Sequence, residues 1–234
     1  MHWNIFAQED ASQPSRYRLD LAAIERSLRE VQADFEKINA RLDSPHDALS
    51  DEVVSNMLAG YRCIDEALRL NIDLFMLGNS ARILELNILT LCGDDLAKRK
   101  QHVAHIQATE QRFYQQKDGF GDLKEWLERN KHEPVWERAA GVYLHILSTP
   151  QLFIEGNHRT GVLIVSYLLA REGQPPFVLT KDNARAYFDP SKHAHDRNRH
   201  SLPMIWQWPR LQRDIAELLR NQVRQEFLTV DNTY

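Results

Sequence analysis

Two segments of this chain, VWERAAGVYLHILS (residues 135–148) and HRTGVLIVSYLLAREG (158–173), are apolar around most of a helical circumference instead of along one stripe. A helix with one apolar stripe rests on a core, whereas a helix that is apolar on all sides has to be surrounded by protein. Two such helices in near succession therefore put the middle of the chain at the centre of a helical bundle. Both fall short of the roughly 20 apolar residues that a membrane span requires. Pro134 suits the first turn of the earlier helix, Pro150 closes it, and Gly173 closes the later one.

The flanking sequence reads as helices that cover this centre. Leu21, Ile24, Leu28, Val31, Phe35, Ile38 and Leu42 recur at spacings of three and four, the signature of one long amphipathic helix. Ser50 is placed to cap a second helix that carries Met57, Tyr61, Ile64, Leu68, Ile72 and Phe75 to a stop at Gly78. A third, richly apolar helix spans 79–91 and ends at Gly93. Asp94 and Asp95 open a mostly polar surface stretch to Gln116, KDGFGD makes a turn, and a short helix follows over 123–130. Beyond Gly173, residues 177–180 read as a brief strand or an extended link, and Thr180 caps a short helical segment. SKHAHDRNRH reads as a polar interval, and a last helix begins near Pro209 and ends near Phe227. The fold class is all-α. At 234 residues without an evident linker or repeat, one core is expected, with residues 1–92 as a helical N-terminal extension packed on a main unit of 93–234.

Charge and cysteine content narrow the setting. The net charge of −4 arises from 29 basic and 33 acidic residues in mixed order, which gives no broad field to attract nucleic acid or an anionic membrane. Cys63 and Cys92 lie in apolar helical surroundings and read as buried thiols of a reducing compartment. MHWNIFAQED lacks a basic flank followed by an apolar stretch, and no run of 18 apolar residues occurs, so a cytoplasmic protein is expected.

Polar groups concentrate in one place where the surrounding pattern is apolar, the stretch FIEGNHRTG between the two central helices. Gly156 permits a positive-φ turn, after which successive backbone N–H groups around Gly156, Asn157 and His158 converge at the start of the next helix. This is an anion nest. Arg159 in the first turn suits bidentate contact with a phosphate, Asn157 offers its amide, and Glu155 offers a carboxylate for a divalent cation between phosphates. The plainer alternative is a simple turn with Glu155 paired to Arg159. The stretch is not a Walker loop, since it lacks that spacing and its lysine.

The same stretch resembles the core motif of the Fic family, HPFx(D/E)GNGR followed by TGR. Here the frame reads QLFIEGNHRTGV over residues 151–162. Phe153, Glu155, Gly156, Asn157 and Arg159 match, as do Thr160 and Gly161. The resemblance implies a compact all-helical bundle with the motif loop between its two central helices. It also implies ATP bound with Mg2+, the phosphates cradled by Gly156, Asn157, His158 and Arg159, the metal held by Glu155, and Phe153 packed in the core. In the family, the motif histidine accepts the proton of a target hydroxyl as AMP is transferred. Gln151 stands at that position, and an amide is no base near neutral pH, so transfer is expected to fall by at least roughly 10²–10⁴-fold.

Three further positions depart from the pattern. Leu152 replaces proline, His158 replaces the second glycine, and Val162 replaces the distal arginine. The resemblance thus implies a degenerate member that keeps a nucleotide or phosphate site. The alternative is an active transferase using another base, for which His158 is the candidate and His145 reads as a packing histidine. A protein target or an antitoxin-like regulator is the implied partner, and no (S/T)xxxE(G/N) inhibitory string is present. His193, His195 and His200, with Asp189 and Asp196, match no closed metal-site spacing and read as a solvated loop. Trp206 and Trp208, near Arg210 and Arg213, read as a cap on the core before a nucleic-acid contact.

Overall fold

The computed structural model describes residues 16–76, 78–195 and 198–230, without the side chains of 190–195, 204 and 205. In chain order the elements are β1 Tyr17–Leu19, α1 Leu21–Ala33, α2 Phe35–Asn39, α3 Asp51–Arg69, α4 Ala81–Cys92, α5 Leu96–Gln101 and α6 Val103–Gln115. They continue with α7 Phe120–Arg129, α8 Val135–Leu147, α9 Asn157–Arg171, α10 Ala184–His195, α11 Leu202–Gln222 and β2 Leu228–Val230. The architecture is an all-α bundle. Among the described residues no helix is long and apolar enough to cross a membrane.

The two all-round apolar segments become the centre. Residues 139–147 of α8 and 160–170 of α9 are buried without a break, and the two helices pack on each other. α3 and α4 cover α9, whereas α7, α10 and α11 pack on α8, and α1 lies on α3. One buried apolar cluster runs from Leu19 to Phe227 and takes side chains from both sides of residue 92.

Helix ends depart from the sequence pattern in ways that leave the stripes intact. The single helix expected over 21–42 breaks at Asp34 into α1 and α2, yet Leu28, Val31 and Phe35 remain buried in one line. Asp34 turns its carboxylate to Lys37 and Lys181. The polar stretch after Asp95 likewise breaks at His102. α10 runs on through SKHAH, where a polar interval was expected. α11 starts at Leu202 with Pro209 inside it instead of near its start. A proline there removes one backbone bond, but Trp208 and Leu211 still reach the core, and that packing outweighs the lost bond.

Residues 177–180 form an extended link satisfied by side chains. Tyr61 and Ser166 donate to the Phe177 carbonyl, Ser27 to that of Leu179, and Asn183 to that of Val178. The antiparallel ribbon of β1 and β2, with Tyr17 opposite Val230 and Leu19 opposite Leu228, is too short to leave a periodic signal.

Candidate functional site

The loop between α8 and α9 is anchored from inside by its own polar residues. Phe153 is buried and stacks on Phe113, with centroids 5.7 Å apart, and Leu152 is buried beside it. Asn157 staples the turn: its Oδ1 accepts from the Phe153 N–H at 2.9 Å, while its Nδ2 donates to the Phe153 carbonyl at 2.9 Å and to Gln151 Oε1 at 3.3 Å. Gln151 in turn donates to the Leu147 carbonyl. The amide of Asn157, expected to point at a ligand, is therefore committed to the shape of the loop.

Gly156 has φ +75° and ψ 11°, the left-handed conformation that starts α9 without a side-chain cap on its N-terminus. A Cβ at this position would come 3.1 Å from Asn87 Nδ2 and 3.2 Å from Leu91 and Thr90, so both conformation and space select glycine. Asn87 Nδ2 donates to the Glu155 carbonyl and to Thr160 Oγ1, and Thr90 Oγ1 lies 3.2 Å from Thr160 Oγ1. This buried polar cluster fixes the start of α9 against α4. A sequence signal for it exists, since Asn87 and Thr90 interrupt the apolar run ARILELNILTLC at one-turn spacing.

Arg159 is half-buried. Its Nη1 donates to the Thr90 carbonyl at 2.8 Å, in the last turn of α4, where the helix dipole favours a cation. Glu155 is exposed, and no Glu155–Arg159 ion pair forms among the described residues, so the simple paired turn is not what the loop adopts. His158 Nε2 lies 3.0 Å from the Tyr187 carbonyl, with its ring edge-on to Tyr187 and near Phe188. Desolvation lowers its pKa to about 4, against the raising effect of that backbone bond, and the charges of His46 and Arg159 lower it further. The ring is neutral at pH 7, and the nitrogen on the carbonyl carries the proton.

These residues line one wall of an open groove of about 550 Å³. The opposite wall comes from the segment ahead of α3, with His46, Asp47 and Ala48, and from Val53 and Phe188. His46 is held through its backbone by both polar atoms of Asn39, and its ring lies 4.7 Å from that of Phe188. Its Nε2 is buried with no hydrogen-bond partner. Nothing in the local sequence marks this wall, because only the packing of α1 to α3 brings it to the loop.

Two arginines that sequence reasoning missed clamp the entry to the loop. Arg112 Nε donates to the Gln151 carbonyl at 2.6 Å. Arg199, with its side chain 5% exposed, donates to the carbonyls of His145, Pro150 and Asp118 and lies against the carboxylates of Asp118 and Asp122. His145 is a core histidine: Nδ1 meets the Gly141 carbonyl at 2.9 Å, and the ring sits between Trp126 and Trp208. Trp208 is part of the cap expected there, but Trp206 is 86% exposed, because two positions along a helix is more than half a turn.

Of the histidine-rich group, the side chains of His193 and His195 and all of Asp196 lie outside the described residues. His200 pairs with Asp118, and Asp189 with Arg185. Among the described residues no cluster of three metal-ligating side chains occurs. Cys63 and Cys92 are free thiols, and burial pushes that of Cys63 up to about 11. Compared with known proteins, the chain matches no family model, no curated protein and no solved structure.

Proposed function

We propose that this chain is a Fic-like bundle that binds a phosphate-bearing ligand, with ATP and Mg2+ as the first candidates, and that it is impaired in AMP transfer. The observation that carries this reading is the start of α9. A 15-residue helix opens on a left-handed glycine with no side-chain cap, beside a groove lined by Arg159. Uncapped N–H groups and the positive end of the helix dipole favour an anion there, and the guanidinium adds a full charge. Glu155, exposed at the groove, fits a Mg2+ ion that takes most of its ligands from phosphate and water. Such an ion would neutralise phosphate charge.

Gln151 supports the impaired reading. Its amide bridges Leu147 and Asn157 and has neither the chemistry nor the freedom to accept a proton. A second reading, an active transferase of AMP or another phosphate-linked group to a protein hydroxyl, draws on His46, which lines the groove and whose Nε2 is buried without a partner. His158 serves that reading less well, because its Nε2 is held by Tyr187.

Calorimetric titration with ATP and Mg2+ tests the binding reading. The wild-type protein is expected to give saturable heat, and Arg159→Ala to weaken affinity by roughly 10–100-fold, the range of a charged hydrogen bond. Heat unchanged in Arg159→Ala would move the ligand away from this groove. No heat in either protein would leave a scaffold role. Label transfer to protein that survives in Gln151→Ala and disappears in His46→Ala would favour the transferase reading.

A further inference from the structure

Trp206 is 86% exposed, and Leu202, one turn earlier on α11, is 76% exposed. α11 is held to the bundle by its other side, where Ile215, Ala216 and Leu219 are buried and Trp208, Leu211 and Leu218 pack on the core. Leu202, Trp206, Arg210, Arg213 and Glu217 recur at spacings of three and four and form the stripe that faces away from it, all five exposed. Exposed Pro203 widens the apolar end of that stripe. A lone exposed apolar residue is ordinary, but adjoining leucine, proline and tryptophan make a contact surface, and tryptophan and arginine are the residues that most often anchor one.

The charges on the stripe select the partner. The Arg210 side chain is 84% exposed and reaches Asp214 only at 4.0 Å, while Arg213 donates to the Pro209 carbonyl at 3.3 Å. Asp214 and Glu217 interrupt these cations. A phosphate-rich surface, lipid or nucleic acid, meets both carboxylates and is disfavoured. An inverted copy of the same stripe is not. If two α11 helices run antiparallel with the two-fold axis level with Trp208, Trp206 lies about 3 Å to one side of the axis and Arg210 about 3 Å to the other. The indole of each copy is then level with the guanidinium of the other, and Leu202 comes beside Arg213 of the second copy, whose aliphatic stem covers it. The same helix makes such a pair within one chain, since the Arg220 guanidinium stands over the Trp136 ring, 6.0 Å from its centroid.

We infer that the outer stripe of α11 binds a second copy of this chain as an antiparallel pair, with Trp206 of each copy on Arg210 of the other. A cation on an aromatic face satisfies both residues at once, and the two-fold axis makes the contact twice. The two stripes together cover on the order of 1,000 Å², the lower limit of a specific interface, so the dimer is weak and reversible. No residue of the stripe lines the groove at the start of α9, so the pairing stands apart from the phosphate reading.

Sedimentation velocity of the full chain over a concentration series tests the pairing. The wild-type protein is expected to exchange between monomer and dimer with a Kd of roughly 10–100 μM. Trp206→Ala, at an exposed position, is expected to weaken the dimer by about 30-fold at an unchanged denaturation midpoint. Trp206→Arg and Arg210→Glu give the sharper comparison. Trp206→Arg alone sets arginine against arginine, and Arg210→Glu alone sets a carboxylate against the indole face. In the mixed dimer one contact is the original and the other is an arginine on a glutamate, so the mixture is expected to associate at least about tenfold more tightly than either variant by itself. A wild-type chain that stays monomeric, a Trp206→Ala dimer of unchanged affinity, or a mixture no tighter than its components would overturn the pairing. Monomeric protein that sediments with phosphatidylserine vesicles only when Trp206 is present would also overturn it and assign the stripe to lipid.

Discussion

Thr109 holds a hydroxyl that α6 buries without a partner. An unpaired buried hydroxyl costs about 1–3 kcal/mol relative to its solvated state. Replacing it by the isosteric valine is expected to raise stability by about 1 kcal/mol, read as a higher urea midpoint at unchanged slope. A lower midpoint would mean that the hydroxyl has a partner in solution. Single residues of the loop between α8 and α9 were legible to different degrees. Gly156 and Arg159 stood out because polar groups interrupt an apolar sequence; Gly156 takes the expected positive-φ turn, and Arg159 donates to the Thr90 carbonyl. Asn157 stood out equally, but its amide serves the loop backbone, a choice between two hydrogen-bonding jobs that residue type alone does not make. Arg112 reaches Gln151 across 39 positions of sequence and Arg199 reaches Pro150 across 49, and His46 is more distant still from the loop, so no local pattern marks any of the three.

At the scale of elements, the pairing of α7 with α8 turns on a missing side chain. Gly141 sits in the middle of α8, and a Cβ there would lie 1.9 Å from the ring of Trp126, which also contacts His145. Gly141→Ala is therefore expected to destabilise the fold by about 1–3 kcal/mol through overpacking, despite the better helix propensity of alanine. Thermal denaturation checks the sign: a raised Tm would show that Trp126 swings away at no cost. The central helices were legible because burial on every side leaves an unbroken apolar run. The covering helices were legible as stripes but not as ends, since Asp34 and His102 interrupt the backbone while the apolar spacing continues across them. The start of α11 was misplaced because Pro209 carries a strong local signal for a helix start that tertiary packing overrides.

For the whole molecule, two histidines link stability to acidity. Desolvation lowers both His145 and His158 to about 4, well under their ordinary 6.5, so each is neutral in the fold at pH 6 while the unfolded chain takes up protons. The unfolded state binds more protons between those values, and stability falls as pH drops from about 6.5 toward 4, by an amount on the order of 3 kcal/mol for each ring if fully realised. Urea midpoints across that window check this, and His145→Gln is expected to flatten the slope, whereas an unchanged slope would remove His145 from the effect. A different property of the whole follows from the ribbon of β1 and β2. With Tyr17 opposite Val230 and Leu19 opposite Leu228, tension applied between residues 16 and 230 loads the rungs one after another, like the teeth of a zip, instead of shearing them together. The ribbon is thus a mechanical fuse. It opens at low force, and the load then passes to the pair of Arg18 with Asp65 before it reaches the bundle.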